Sequence, residues 1–356
     1  MRLDPTGSVL TSHHVALVKL LQSTDQVEPA LPLLEKSIVF YPGAKASSEE
    51  RVLCDRELPP IEYITVGSGM TNSLNSADVL QYDLLRGLCF ISQRMWQPAL
   101  QALERVITYP TRDSHSCHKA MMEAHNKWVL VSLLQTGKMP MLPATTSAGA
   151  QKSFAASCKP YQAIGKAFEE KTGHTLKTEF ESNGAAFFAE ENNLELMRLV
   201  LQHYQRWQIL NLQHVYTKIS LEKIRARTES AETAAPLETV AEVEKLVQEM
   251  IDDGMLKGAI VRPADGAAPV NLVFHEPSEE LSETEFAHKM LVTAQRLKDL
   301  EPLIRATNER LVTHRDYVRY MLGQQKREKD GRRDFDMSFV SQVEDEDLMT
   351  GVMTDF

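Results

Sequence analysis

Residues 98–107 read Pro98-Ala-Leu-Gln-Ala-Leu-Glu-Arg-Val-Ile107, and residues 29–38 read Pro29-Ala-Leu-Pro-Leu-Leu-Glu-Lys-Ser-Ile38. The two decamers share Pro, Ala, Leu, a second Leu, Glu and Ile. Lys36 stands where the later copy has Arg105, and an aromatic follows at the same offset, Phe40 and Tyr109. Their 69-residue separation is close to twice the roughly 34-residue period of stacked helix-turn-helix pairs. In the later copy Gly87 and Ala99 are small where two antiparallel helices would cross closely, and Pro110, which has no N–H to donate, ends the second helix. Residues 76–93 and 96–109 therefore read as one helical pair, with 12–22 and 27–40 as an earlier, more degenerate pair.

Outward from this repeat, residues 43–77 contain Pro59-Pro60 and Gly67-Ser-Gly69 and read as an irregular insertion. Helical spacing resumes at 118–134 and stops at Gly137. Residues 1–150 are thus a tetratricopeptide-like helical repeat region. A second block follows, with apolar residues at helical spacing over 152–171, 194–205, 209–218 and 220–227. Thr239 and Glu242 form a capping box ahead of the stripe Val240, Val243, Leu246, Val247, Met250 and Ile251, and Gly254 lies just past its end. Gly258–Arg262 and Val270–Phe274 are short β-type runs joined by residues 263–269, a hairpin. Three short helices followed by a hairpin is the order of a winged helix, here about 206–276. Met290, Leu297, Ile304, Leu311 and Val318 then recur every seven residues, with Phe286, Leu300 and Met321 on the same face. This is a coiled-coil-like seam in which Pro302 predicts a kink and Thr293, Thr307 and His314 are polar interruptions. Residues 327–356 form an acidic, polar tail with the composition of a disordered segment.

Composition narrows the function. Of 356 residues, 43% are hydrophobic and 25% charged, which excludes a fully disordered chain, and the formal charge of −10 disfavours a nucleic-acid or anionic-membrane binder. No apolar run is long enough to span a bilayer. Cys54, Cys89, Cys117 and Cys158 contain no C-x-x-C pair and read as free thiols of a reducing compartment. The winged helix is not expected to read DNA. Its candidate recognition helix, 238–253, carries Glu238, Glu242, Glu244, Glu249, Asp252 and Asp253 against Lys245 alone. The densest set of potential metal ligands is His115, Cys117, His118, Glu123 and His125, but its spacing matches no metal motif, so an enzyme built on it is the weaker alternative. Gly67-x-Gly69 lacks the strand and lysine of a phosphate loop, and neither G-x-S-x-G nor H-E-x-x-H occurs. No catalytic, cofactor or metal residues are assigned.

Surfaces remain. Stacked helical pairs present concave faces to other proteins, a two-stranded wing offers a strand edge, and a heptad helix needs other helices to cover its seam. This order resembles that of PCI-domain proteins: helical repeats, a helical adaptor with a winged helix (151–278), then a C-terminal helix (279–326). Such proteins scaffold the proteasome lid, the COP-nine signalosome and translation initiation factor 3. The wording is most similar to the signalosome subunit 3 family, on Gln97–Pro110, Lys127–Lys138, Leu212–Ile224, Val247–Gly254 and Asn271–His275. The family's longer N-terminal run of repeats has no match here, and the tail of this chain, Phe335 to Phe356, matches no motif of the family. The resemblance implies a non-catalytic subunit of a hetero-oligomer, in cytoplasm and nucleus, without cofactor. Its neighbours would be other signalosome subunits, whose assembly removes a ubiquitin-like modifier from cullins through a zinc isopeptidase in another chain; the H-x-H of that enzyme is absent here. It also implies contact surfaces at an edge strand, Asn271, Leu272, Val273 and Phe274, and at the seam of Met290, Leu297, Ile304, Leu311 and Val318. The alternatives within the class are the proteasome-lid and initiation-factor counterparts.

Overall fold

A computed structural model describes residues 4, 7–42, 60–110, 117–170, 172–262, 269–274, 283–315, 317–323 and 325. The anticipated acidic tail, the hairpin loop 263–268, His115, Cys54 and residues 43–59 of the 43–77 insertion lie outside these residues. The chain divides into two units, the first holding residues 1–55 and 60–281 and the second 56–59 and 282–356.

The first unit opens with α1 (Ser12–Thr24), whose N-cap Thr11 and third helical residue His14 form a capping box. The helix expected over 27–40 is not there. The chain instead makes a 3₁₀ turn, Glu28–Ala30, and one short helix, α2 (Leu31–Leu34), and then runs extended. Two causes combine. Pro32 stands where the later copy has Gln101, removing an amide and crowding the preceding turn. Downstream, the buried Arg86 guanidinium donates to the carbonyls of Leu34 (2.6 Å) and Lys36 (3.3 Å), taking acceptors a further helical turn would need. Phe40 then pairs beside Val9, with Leu10 N–H donating to Phe40 O at 2.9 Å.

After α3 (Pro60–Tyr63), the later repeat forms as its sequence reads: α4 (Ser76–Ser92) and α5 (Trp96–Ile107). At their crossing a Cβ on Gly87 would lie 3.0 Å from Leu103 Cδ2, and Ala99 is wholly buried. α6 (Lys119–Thr136) starts on His118, whose Nδ1 accepts from Ala120 N–H, and ends at Gly137 in the left-handed region (φ +67°). The single helix expected over 152–171 is two, α7 (Ala148–Ser157) and α8 (Lys159–Glu169), because Pro160 cannot donate across the junction. α9 (Gly173–Asn183) and α10 (Ala185–Glu190) are separated by Gly184.

α11 (Leu194–Leu212) is one helix where two were expected. The segment after it becomes β1 (Lys218–Ser220) rather than helix, since Ile219 gains burial by pairing beside Leu272. Then follow α12 (Leu221–Arg227), α13 (Val240–Asp252), β2 (Gly258–Val261) and β3 (Asn271–Phe274). Thr239 Oγ1 accepts from Glu242 N–H at the start of α13, the Thr239 half of the expected capping box. The antiparallel sheet has the order β1-β3-β2. Two apolar cores result. One runs from Leu10 through Ala231, continuous past residue 150; the other gathers Ile209, Ile219, Val243, Val247, Met250 and Leu272 inside the winged helix. The fold is therefore mostly helical, with one small sheet.

The second unit is represented by α14 (Glu283–Thr313), which runs unbroken through Pro302.

Candidate interaction surfaces

The winged helix corrects one expectation. β3 is the central strand, with Leu272 paired to Ile219 on one side and Ile260 on the other, so Asn271, Leu272, Val273 and Phe274 present no open edge. Leu272 is fully buried and Phe274 nearly so, and Asn271 Nδ2 turns back to donate to Pro269 O at 2.8 Å. The cause is β1, which two-period reading of the sequence missed: three residues are too few to register, and only pairing with β3 defines them. The outer strands are β1 and β2. β2 ends in an exposed Val261, and its Gly258 lets the β3 backbone approach so closely that a Cβ would lie 2.7 Å from Val273 O.

The heptad residues behave differently. Met290, Leu297, Ile304, Leu311 and Val318 are between 41% and 64% exposed, and Phe286 and Leu300 are exposed beside them. Thr293 and Thr307, two of the polar interruptions, donate their hydroxyls to Lys289 O and Leu303 O at 2.7 Å each. Both are satisfied within the helix, so covering this face would strand neither hydroxyl.

The acidic face of α13 is partly tied down. Arg206 of α11 donates to Glu249 (3.0 Å) and Asp253 (2.9 Å), and Arg262 pairs with Glu244. These arginines anchor α13 to its own fold, which leaves Glu238, Glu242 and Asp252 exposed with no ion-pair partner among the described residues. That surface would repel phosphate.

The described members of the histidine cluster do not come together as a site. His118 is spent as an N-cap, and Glu123 lies 3.6 Å from Lys127 Nζ. His125 is buried and stacks on Phe154 at 4.4 Å, where burial lowers its pKa to about 4. Among the described residues no three His, Cys, Asp or Glu side chains are placed to hold a metal ion.

What surrounds it is a buried polar chain that sequence reading did not reach. Lys127 Nζ donates to Asn193 Oδ1 (2.6 Å), Asn193 Nδ2 to Tyr161 OH (2.7 Å), and Tyr161 OH to Glu191 Oε2 (2.6 Å). Asn126 Nδ2 also donates to Glu191, at 3.0 Å. Burial lowers the Lys127 pKa, opposed by Glu123, and raises that of Tyr161, reinforced by Glu191. Burial likewise pushes the Cys158 thiol up to about 12, so it is no ready nucleophile. The chain ties α6 to α8 and to the turn before α11; it reads as architecture. Its members are 30 to 66 residues apart, beyond the reach of any local signal.

Residues 1–149 match the family model for the N-terminal helical repeats of COP9 signalosome complex subunit 3. Curated proteins of that name are similar over more of the chain. The one from Neurospora crassa is 49% identical over 99% of this chain and 72% of its own length. Those from Emericella nidulans and Arabidopsis thaliana are 29% and 28% identical over 63% and 73% of this chain, and the chain spans 45% and 57% of their lengths.

Proposed function

Because the chain belongs to the COP9 signalosome subunit 3 family, we propose that it is a non-catalytic scaffold subunit of a signalosome. It assembles with the other subunits through the outer strands of the winged helix and through the α14 seam, and so supports removal of a ubiquitin-like modifier from cullins by another subunit, in cytoplasm and nucleus. The observation that carries this reading is the run of five heptad-spaced apolar side chains, all exposed, in a chain of this family. Leaving one large aliphatic side chain in water forgoes about 1.5–3 kcal/mol, so a face of several such residues favours a partner helix.

The test is a tagged full-length chain captured from native lysate, with mass spectrometry of what accompanies it. It is repeated with Leu297→Asp, Ile304→Asp and Leu311→Asp combined. Recovery of the remaining signalosome subunits, lost in the triple variant, is the expected result. Recovery of proteasomal ATPases or ribosomes in their place would overturn the assignment. Signalosome subunits retained by the variant would move the interface to the winged-helix edges.

A further inference from the structure

The flanks of the α14 seam are not neutral. With Met290, Leu297, Ile304, Leu311 and Val318 as one seam row and Phe286, Thr293, Leu300, Thr307, His314 and Met321 as the other, the positions beside the second row are 289, 296, 303, 310 and 317. Three of these are Lys289, Arg296 and Arg310, all exposed and none with an ion-pair partner among the described residues. Beside the first row stand Ala287, Ala294, Glu301, Asn308 and Arg315. The single acid among them, Glu301, already lies 3.5 Å from Arg305 of the same helix. A chain of net charge −10 thus borders its exposed apolar seam with positive charge.

A second copy of this helix does not suit that border. Antiparallel, the flank of Lys289, Arg296 and Arg310 would face itself. Parallel, Arg296 would meet Glu301 of the other copy, but Arg310 would meet Arg315, so the gain is cancelled.

Resting on the reading of the seam as a contact surface, we propose that its partner is a different helix or helical bundle, with an apolar heptad seam and acidic residues at its flanking positions. The acids would pair with Lys289, Arg296, Arg310 and Arg315, selecting partner and register.

Two synthetic peptides of equal length test this on the full chain. Both carry Leu and Ile in the seam rows; one has Glu and the other Lys at every flanking position. Binding is read by fluorescence anisotropy. The Glu-flanked peptide should bind about tenfold more tightly near 0.1 M salt, as three or four exposed pairs allow. The preference should collapse at 1 M salt, where the screening length falls to about 3 Å. It should invert in the variant Lys289→Glu, Arg296→Glu, Arg310→Glu. Equal binding of the two peptides would overturn the charge inference and leave the seam reading intact. Binding by neither would overturn the seam reading and this proposal with it. A seam-dependent dimer of the chain, abolished by Leu297→Asp in sedimentation, would also overturn it.

Discussion

Gly137 offers the sharpest check on how α6 and α11 meet. It closes α6 in the left-handed region, φ +67°, and a Cβ placed there would lie 2.4 Å from Trp207 Cδ2 and 2.6 Å from Cε3. Gly137→Ala therefore meets two costs. The backbone conformation disfavours an L side chain by about 1–2 kcal/mol. The ring of Trp207, partly buried and packed against the main core, must also shift, and such overpacking costs about 1–3 kcal/mol. Together they predict a loss of about 3 kcal/mol, or a fall of about 6–12 °C in Tm. The assay is urea unfolding followed by circular dichroism, run on a double-mutant cycle with Trp207→Leu. In the Trp207→Leu background only the backbone cost remains, so Gly137→Ala should cost about 1–2 kcal/mol. An equal cost in both backgrounds, to within about 0.5 kcal/mol, would refute the contact.

Further outcomes follow from the same packing. His125 has a folded pKa near 4 against an ordinary 6.5, so the unfolded chain binds more protons between those values and stability falls as pH drops through that window. From pH 7 to pH 5 this amounts to about 2 kcal/mol, and His125→Phe, which keeps the stack on Phe154, should flatten that part of a urea-midpoint-versus-pH curve. Lys127→Ala strands Asn193 and Glu123 and should cost about 3 kcal/mol in the same unfolding assay, whereas a neutral result would mean water replaces the ammonium. Arg86→Ala frees the carbonyls of Leu34 and Lys36 and should cost about 2–3 kcal/mol, with faster limited proteolysis around residue 36 as its signature. The seam triple variant, by contrast, should leave Tm unchanged to within about 2 °C, since the side chains it alters are exposed.

What could be read from the sequence was what local chemistry decides. α4 and α5 follow from their apolar spacing and from Gly87 and Ala99 at the crossing, α13 from Thr239 and Glu242, and α14 from its sevenfold repeat. The failures are places where a distant partner decides. Residues 35–40 keep the words of the helical copy, yet Pro32 weakens the helix and Arg86, some fifty residues away, captures its carbonyls. Ile209–Leu212 and Ile219 share one apolar spacing, but the former continue α11 and the latter pairs with β3, because each lies against a different part of the winged-helix core. That single strand overturned the edge assignment of residues 271–274. The heptad seam was legible because no partner within the described chain alters it.

α11 bears on the scaffolding role proposed above. Tyr204 belongs to the repeat-side core and donates its hydroxyl to Glu170 O at 2.7 Å, while Ile209, five residues on, belongs to the winged-helix core. The four residues between them all reach outward to fixed partners. Gln205 Nε2 donates to Thr228 Oγ1, Arg206 clamps Glu249 and Asp253, Trp207 lies against Gly137, and Gln208 Oε1 accepts from Glu229 N–H. Five consecutive helical residues point in every direction around the axis, so this short stretch is gripped on all sides, from α6, α8, α12 and α13 or the segments beside them. A hinge needs a stretch with few such contacts, and the junction between the two cores has the opposite. The outer strands of the sheet are consequently carried at a set angle to the helical repeats. That rigidity is what the scaffolding role proposed above asks of this chain.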